Sequence, residues 1–504
     1  MYLFGLGFEV NDTEQLNYIP GWPGGVQGSI STASKKNGNY GIELLGTAAV
    51  HDCIGAEMTS DTFWVSLWLR PGTLGGIQTR WPIHVSNAGF AGSRYPCLGL
   101  EDDGTYMTRA VLKKHTQSDT VAASGAEIGA YSFPANHLPQ YHYYQIETTI
   151  KSTGVAYSPT VTLASNIDAS TTSVPYTSTG DPILDGHCII IDSERMIVTS
   201  VNTSTNTLTV QRGCYRSTAA PHTATAAITQ LVVDMKLYID GTQQISVTDV
   251  TEVAESLSAK INLSGALSSG KGTLKTYFDD IFINDSAGSS YNSLPPYSGG
   301  STYVFQGAQP FNDVTGFNDF TSSVGGKKYA DVDDFNDTTD PADDYVSSST
   351  LGHQQMFCLK DMASGETPLL VNLWAVGRSG YAIPGKYMAH VNNEARATGD
   401  WTIASATGSN HYSIKTLLTT PGGATWDEAK FNSLQAGFKA SNVGTENRVY
   451  VFGAEIMGQG ITKPAATTSG ENANADCAAN SEGTPFTDLT LPPPVPLPLG
   501  VVGY

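Results

Sequence analysis

The chain has 504 residues, 40% hydrophobic and only 15% charged, which is enough apolar material for about two to four domains under a sparsely charged surface. Its 47 acidic and 27 basic residues give a formal net charge of −20, which argues against a nucleic-acid partner, because tracking phosphates takes clustered Lys and Arg. No run of 18 apolar residues occurs, so no membrane insertion is expected.

The start, Met1 to Phe8, is apolar but has no basic segment before it and no small-residue cleavage site after it. Synthesis in the cytoplasm without a secretory signal is expected. Period-two alternation follows. In Phe63–Arg70 one face carries Phe63, Val65, Leu67 and Leu69, and the other carries Trp64, Ser66, Trp68 and Arg70. Tyr143–Ile150, Met235–Ile239, Thr276–Ile283 and Arg448–Ile456 read the same way. Asp240-Gly241, directly after Ile239, suits the positive φ angles of a two-residue hairpin turn. One helix is expected, opened by a capping box from Thr425 to Glu428 and followed by Trp426, Ala429, Phe431 and Leu434. Frequent glycine (52) and proline (25) fit short strands joined by turns, and the class is all-β.

Four parts are expected. Residues 1–155 and 231–292 form one interrupted sandwich, and 156–230, Thr-rich with few aromatics, form a small β module inserted in it. A second sandwich spans 303–462. The tail, 463–504, loses all periodicity and carries Pro492-Pro493-Pro494-Val495-Pro496-Leu497-Pro498, an extended, stiff run short of backbone donors. With Leu491, Val495, Leu497, Leu499 and Tyr504 it reads either as a frayed end or as an arm docked on a neighbouring subunit.

Several passages carry a resemblance in their order: Gly7-Phe8-Glu9, Phe63–Trp68, Tyr143–Glu147, Lys236–Gly241 and Tyr277–Asp285. Together they resemble the laminin-G/concanavalin A-like jelly roll. Asp285–Gly288, Asp331–Asp334, Asp343–Val346, Trp374–Arg378 and Thr425–Asp427 are similar to a recurrent phage and prophage protein in which a second β domain follows that jelly roll. Ile167–Thr172, Ile191–Glu194, Gln211–Gly213 and Thr218–His222 resemble a small β module inserted in many phage tail proteins. The resemblance implies a component of a tailed-phage virion.

Catalytic sets were sought and none stands out. Glycosidases of concanavalin-like folds need paired carboxylates lining a cleft. Here Asp192 and Glu194 fall in a hairpin of the inserted module, and Asp279 and Asp280 point to opposite faces. No Gly-x-Ser-x-Gly or His-Glu-x-x-His occurs. Gly265–Gly272 lacks the hydroxyl residue and the helix of a phosphate loop, and reads as a turn. The chain is therefore expected not to be an enzyme and to need no cofactor. Calcium is the one candidate exception: Asp331, Asp333, Asp334, Asp337, Asp340, Asp343 and Asp344 crowd together, either as a solvated loop or around a hard cation. The ten histidines show no ligand spacing and receive no role, and the six cysteines read as mostly free, buried thiols.

Trp64 and Trp68 could stack on sugar rings, although two Trp on one strand are more often packed under a covering loop. The expected function is a tail-tip or fibre adhesion protein contacting host surface glycans. The alternatives are a capsid decoration protein (cement or head fibre) and, further off, a carbohydrate-active enzyme or free lectin. Expected partners are other virion proteins, host carbohydrate and copies of the chain itself, with a trimer the first guess.

Overall fold

In the computed structural model, strand Thr62–Pro71 lies inside an antiparallel sheet, paired with His142–Ile150 on one side and Lys275–Asp285 on the other. The structure describes residues 2–7, 28–31, 36, 41–45, 51–55, 59–72, 78–85, 94–116, 126–178, 180, 182–251, 260–263, 275–297, 303–323, 325, 328–332, 344–359, 362, 366–377, 386–391, 401–402, 411–440 and 446–459. About 60% of the described residues are strand and 2% helix, so the all-β class is confirmed.

The first sheet runs Thr242–Val250, Val233–Ile239, His142–Ile150, Thr62–Pro71, Lys275–Asp285, Gly41–Leu45 and Gly28–Ser31, with Tyr2–Leu6 also paired to Lys275–Asp285. A six-stranded sheet faces it, and Arg94–Asp102 and Met107–Thr116 pair within that sheet. Phe63, Val65, Leu67 and Leu69 pack with Leu98, Leu100, Ala110 and Leu112 between the two sheets. Each such side chain contributes about 1.5–3 kcal/mol by leaving water.

The opposite face of the first sheet is covered as well. Gln145 donates to Pro295 O, and Asn284 donates to the carbonyls of Tyr291 and Ser293, so the segment after Asp285 is laid back over the sheet. A β-bulge between Asp279 and Phe282 leaves Asp280 at φ +46°. There its carboxylate accepts the amide of Phe305, which joins this sandwich to the following unit. Phe282, Phe305, Leu370 and Met457 form the apolar part of that junction.

Strands His142–Ile150 and Val233–Ile239 pair up to Ile150 and Val233. The chain between them closes into a six-stranded barrel: Val155–Leu163, Ser173–Thr177, Thr207–Gln211, Glu194–Asn202, Cys188–Ile191 and Ala227–Gln230. Val161, Leu163, Val174, Ile189, Val198, Leu208 and Ile228 fill it. A barrel thus stands where a hairpin would have a turn, with entry and exit side by side. At the far end of the same strand pair, Asp240 and Gly241 take φ of +48° and +74° and make the tight turn read from the sequence.

The following unit packs a four-stranded sheet against a five-stranded one around Phe357, Phe438, Phe452 and Trp426. At Gly437 a Cβ would stand 1.9 Å from Gln355 O, so only glycine lets those two strands approach. The helix is shorter than expected, Glu428–Asn432. Its cap is Asp427, whose side chain accepts the amide of Lys430, and not Thr425. Trp426 precedes it and donates to Leu417 O, while Leu434 begins a strand. Cys97, Cys188 and Cys214 are buried thiols outside any disulfide, as expected of most of the cysteines, and Cys358 is held in a disulfide.

Candidate functional site

The inserted barrel carries its charges in two neighbouring places. The first lies beneath the loop after Thr207–Gln211. Glu194 begins its strand just after the Asp192-Ser193 turn, and its side chain is fully buried, as is nearly all of Arg212. Arg212 Nε and Nη2 fork onto the two carboxylate oxygens at 2.7 Å. Its remaining N–H groups reach the carbonyls of Asp168, Thr171 and Ala220. All five guanidinium donors are thereby used. Glu194 also accepts the amides of Gly213 and Ala220 and faces His222 Nε2 at 2.8 Å, while His222 Nδ1 faces Asp192 at 2.7 Å. Burial opposes the charged carboxylate, but the Arg212 fork, the amides and His222 outweigh it and hold Glu194 at about 2. Every residue of this knot lies in the passages that resembled the phage tail module.

The second place is a cleft of about 390 Å³ where the barrel meets the first sandwich. Its barrel side is the loop from Gly213 to Ser217. Tyr215 and Arg216 both sit in the left-handed region, at φ +48° and +63°, and Asp192, next to the cleft-lining Ser193, is at +55°. Such backbone costs about 1–3 kcal/mol per non-glycine residue and persists only where surrounding contacts impose it. Those contacts are present. Ser217 Oγ bridges Cys214 O and the backbone of Arg195, and Arg195 Nη1 holds Tyr215 O at 2.9 Å.

Arg195 also forks onto Asp61 of the sandwich, at 2.7 and 2.9 Å, and reaches Lys151 O. Arg216 meets the same Asp61 oxygen. Burial raises the Asp61 pKa, but the two guanidiniums overcome it and hold the carboxyl below its usual range. The sandwich wall is equally fixed: Asp285 accepts both the amide and the hydroxyl of Thr59 at 2.7 Å. Thr59, Ser60, Ser152, Ser193 and Ser217 supply hydroxyls around the cleft. Arg195, Arg216 and Asp61 are the charged residues that line the cleft.

The residues singled out from sequence lie elsewhere. Trp64 and Trp68 are only 7% and 5% exposed, so a free stacking platform is corrected to a packed row. Trp64 Nε1 donates to Glu147, which also holds Lys236. Trp68 packs against Tyr143 and Tyr297, under Lys36. Of the acidic run, Asp331 is buried and Asp344 half-buried. Burial raises the Asp331 pKa, and the Asp344 and Asp313 carboxylates push it the same way. Asp333, Asp334, Asp337, Asp340 and Asp343 lie outside the described residues, as do Leu491, Val495, Leu497, Leu499 and Tyr504. Among the described residues no three His, Cys, Asp or Glu are placed to hold a metal. The histidines, given no role from sequence, include a pair joined at 2.7 Å, His137 and His142, with Asp240 behind at 2.5 Å.

The cleft was not foreseen. Its signal in the sequence is faint: Arg195 at the start of a strand and Arg216 in a loop, in a module otherwise poor in positive charge.

No family model matches the chain, and no curated protein does. Solved structures similar to it include the carbohydrate esterase of the Shiga toxin-encoding bacteriophage phi24B (11% identity, covering 56% of this chain and 97% of that one, TM-score 0.28). An endo-β-1,4-glucuronan lyase from the fungus Trichoderma reesei is similar at 8% identity, over 56% and 95% of the two chains, with TM-score 0.26. The binding domain of Botulinum neurotoxin serotype G is similar at 8% identity, over 90% and 92%, with TM-score 0.29. Likeness at this level assigns no ligand or activity. The expectation of a non-enzyme does not stand, the β architecture being no ground for excluding catalysis.

Proposed function

We propose that the chain is a component of a tailed-phage particle that engages host-surface carbohydrate through the cleft between its first sandwich and its inserted barrel. The cleft carries this reading. Sugars are recognised by fixed donors and acceptors, and here five hydroxyl residues and two guanidiniums line one concavity whose walls are held by Asp285, Arg195 and Ser217. The passages around Glu194, Arg212 and His222 that resemble a phage tail module support the particle assignment and a place at the tail tip or fibre.

The test is retention of the full chain on polysaccharide purified from host cells, beside Ser193→Trp. Ser193 is exposed at the cleft rim, so the indole fills the space without disturbing a core. Retention by the wild type and its loss in the variant is the expected result. A wild-type chain that ignores every host polysaccharide, or a filled cleft that binds as well as an open one, would refute the reading.

A further inference from the structure

We infer that His137, His142 and Asp240 form a proton-operated latch that holds residues 133–141 closed over one end of the first sandwich and lets them open in acid. The latch is independent of the carbohydrate reading, because the Asp240-Gly241 turn lies at the end of its strand pair away from the barrel and the cleft.

The geometry restricts the protons. Residues 133–141 connect strand Ala126–Ser132 to strand His142–Ile150. Asp240 accepts the Tyr143 amide at 2.9 Å through one oxygen and faces His142 Nδ1 at 2.5 Å through the other. A carboxylate only accepts, so His142 Nδ1 carries a proton. His142 Nε2 meets His137 Nε2 at 2.7 Å. While His142 is neutral its Nε2 is a bare lone pair, and His137 donates to it. When His142 takes a proton the bond reverses, and His137 accepts through its other tautomer. One added proton is therefore tolerated. A second would set N–H against N–H and place two cations 2.7 Å apart.

The surroundings leave the second proton without help. The His137 ring is stacked on Phe133 at 4.6 Å and on His142 at 4.8 Å, and Tyr144 meets His142 edge-on. Gln140 Nε2 stands 3.4 Å from His142 Nε2. The other titratable groups on the surrounding elements are Tyr131 against Phe133, Tyr144, and Tyr297 beside Asp240, all phenols, which carry no charge between about pH 5 and 8. Burial and the neighbouring His142 lower the His137 pKa against the weaker pull of Asp240. The sign follows: the closed loop is favoured above the ordinary histidine value of 6.5 and is progressively lost as pH falls below it. Burial raises the Asp240 pKa, but His142 and the Tyr143 amide hold it below its usual range, so Asp240 stays ionised through that window.

The loop carries apolar cargo. Phe133 is buried in the sandwich core, and Leu138 beside it is already 62% exposed. Opening would add Phe133 to Leu138 and give this end of the sandwich an apolar surface in acid. Backbone bonds report the state of the loop: Met107 N donates to His137 O at 2.8 Å, and Phe133 N to Thr108 O at 2.9 Å.

The experiment is hydrogen exchange on the full chain between about pH 7.5 and 5, corrected for the intrinsic pH dependence of exchange. Protection at the Met107 and Phe133 amides should fall about tenfold across that range, while Ile146 and Leu237 in the sheet interior stay protected. In His137→Gln the amide can donate or accept but does not titrate, so protection at Met107 and Phe133 should be flat with pH. Should that variant fail to fold, His137→Phe keeps the ring stack and should be flat as well. Wild-type protection that does not change with pH would overturn the inference. So would an acid loss that survives in either folded variant, or one that spreads equally to Ile146 and Leu237.

Discussion

Arg212 and Arg216 lie four positions apart in one barrel loop, yet their surroundings are opposite. Arg212 is 6% exposed, with every donor spent on one buried carboxylate and three carbonyls. Arg216 is 30% exposed and shares Asp61 with a second arginine. A saturated buried pair specifies a shape, because removing either partner leaves a charge with nowhere to go. A shared, partly exposed ion pair does little for stability. The residues that carry the resemblance in sequence are therefore the ones that hold the barrel together, and the cleft lies beside them.

Breaking the knot should have the largest effect. Glu194→Ala strands the Arg212 guanidinium and the amides of Gly213 and Ala220, and should cost about 3–5 kcal/mol. Hydrogen exchange should show that loss within the barrel strands while the sandwich amides stay protected. Protection lost by less than about 1 kcal/mol would mean the knot is ornamental.

Acid should act on the same carboxylate. Glu194 has a folded pKa lowered to about 2, so its contribution is complete above the unfolded value near 4.5 and disappears as pH falls through 2. The barrel should lose on the order of 3 kcal/mol across that window. Glu194→Gln should make its acid response flatter, and an unchanged slope in that variant would contradict the assignment.

Asp61 stands between the two extremes, about half-exposed but paired to nearly buried Arg195. Asp61→Asn should cost about 2 kcal/mol, seen as faster exchange at Lys151 and the Tyr215 loop, where barrel meets sandwich. The smallest effect is expected at Arg216 itself. Arg216→Gln should shift stability by no more than about 1 kcal/mol, and a larger melting change would place Arg216 with Arg212 as part of the frame.

What was legible in the sequence had local causes. The strands at Phe63–Arg70, Tyr143–Ile150 and Met235–Ile239 showed their alternation, and Asp240-Gly241 announced its turn through two residues able to take positive φ. The helix start was misplaced by two residues because Thr425 and Asp427 are both capping types, and only backbone geometry separates them. Trp64 and Trp68 were open to misreading because the cover on their face comes from Tyr143, Tyr297 and Glu147, far along the chain. The cleft joins Asp61 to Arg195 and Arg216 across 134 and 155 positions, and no local pattern records such a meeting. The Glu194, Arg212 and His222 passages carry a resemblance in sequence, while their physical reason, a hydrogen-bonded knot, exists only in three dimensions.

The central claim is that carbohydrate is held between sandwich and barrel, and a crystal structure of the full chain with a bound host oligosaccharide tests it most directly. Sugar density is expected in the cleft, with hydroxyls near Ser60, Ser152 and Ser193. Sugar ordered elsewhere on the chain, with the cleft holding only solvent, would contradict it.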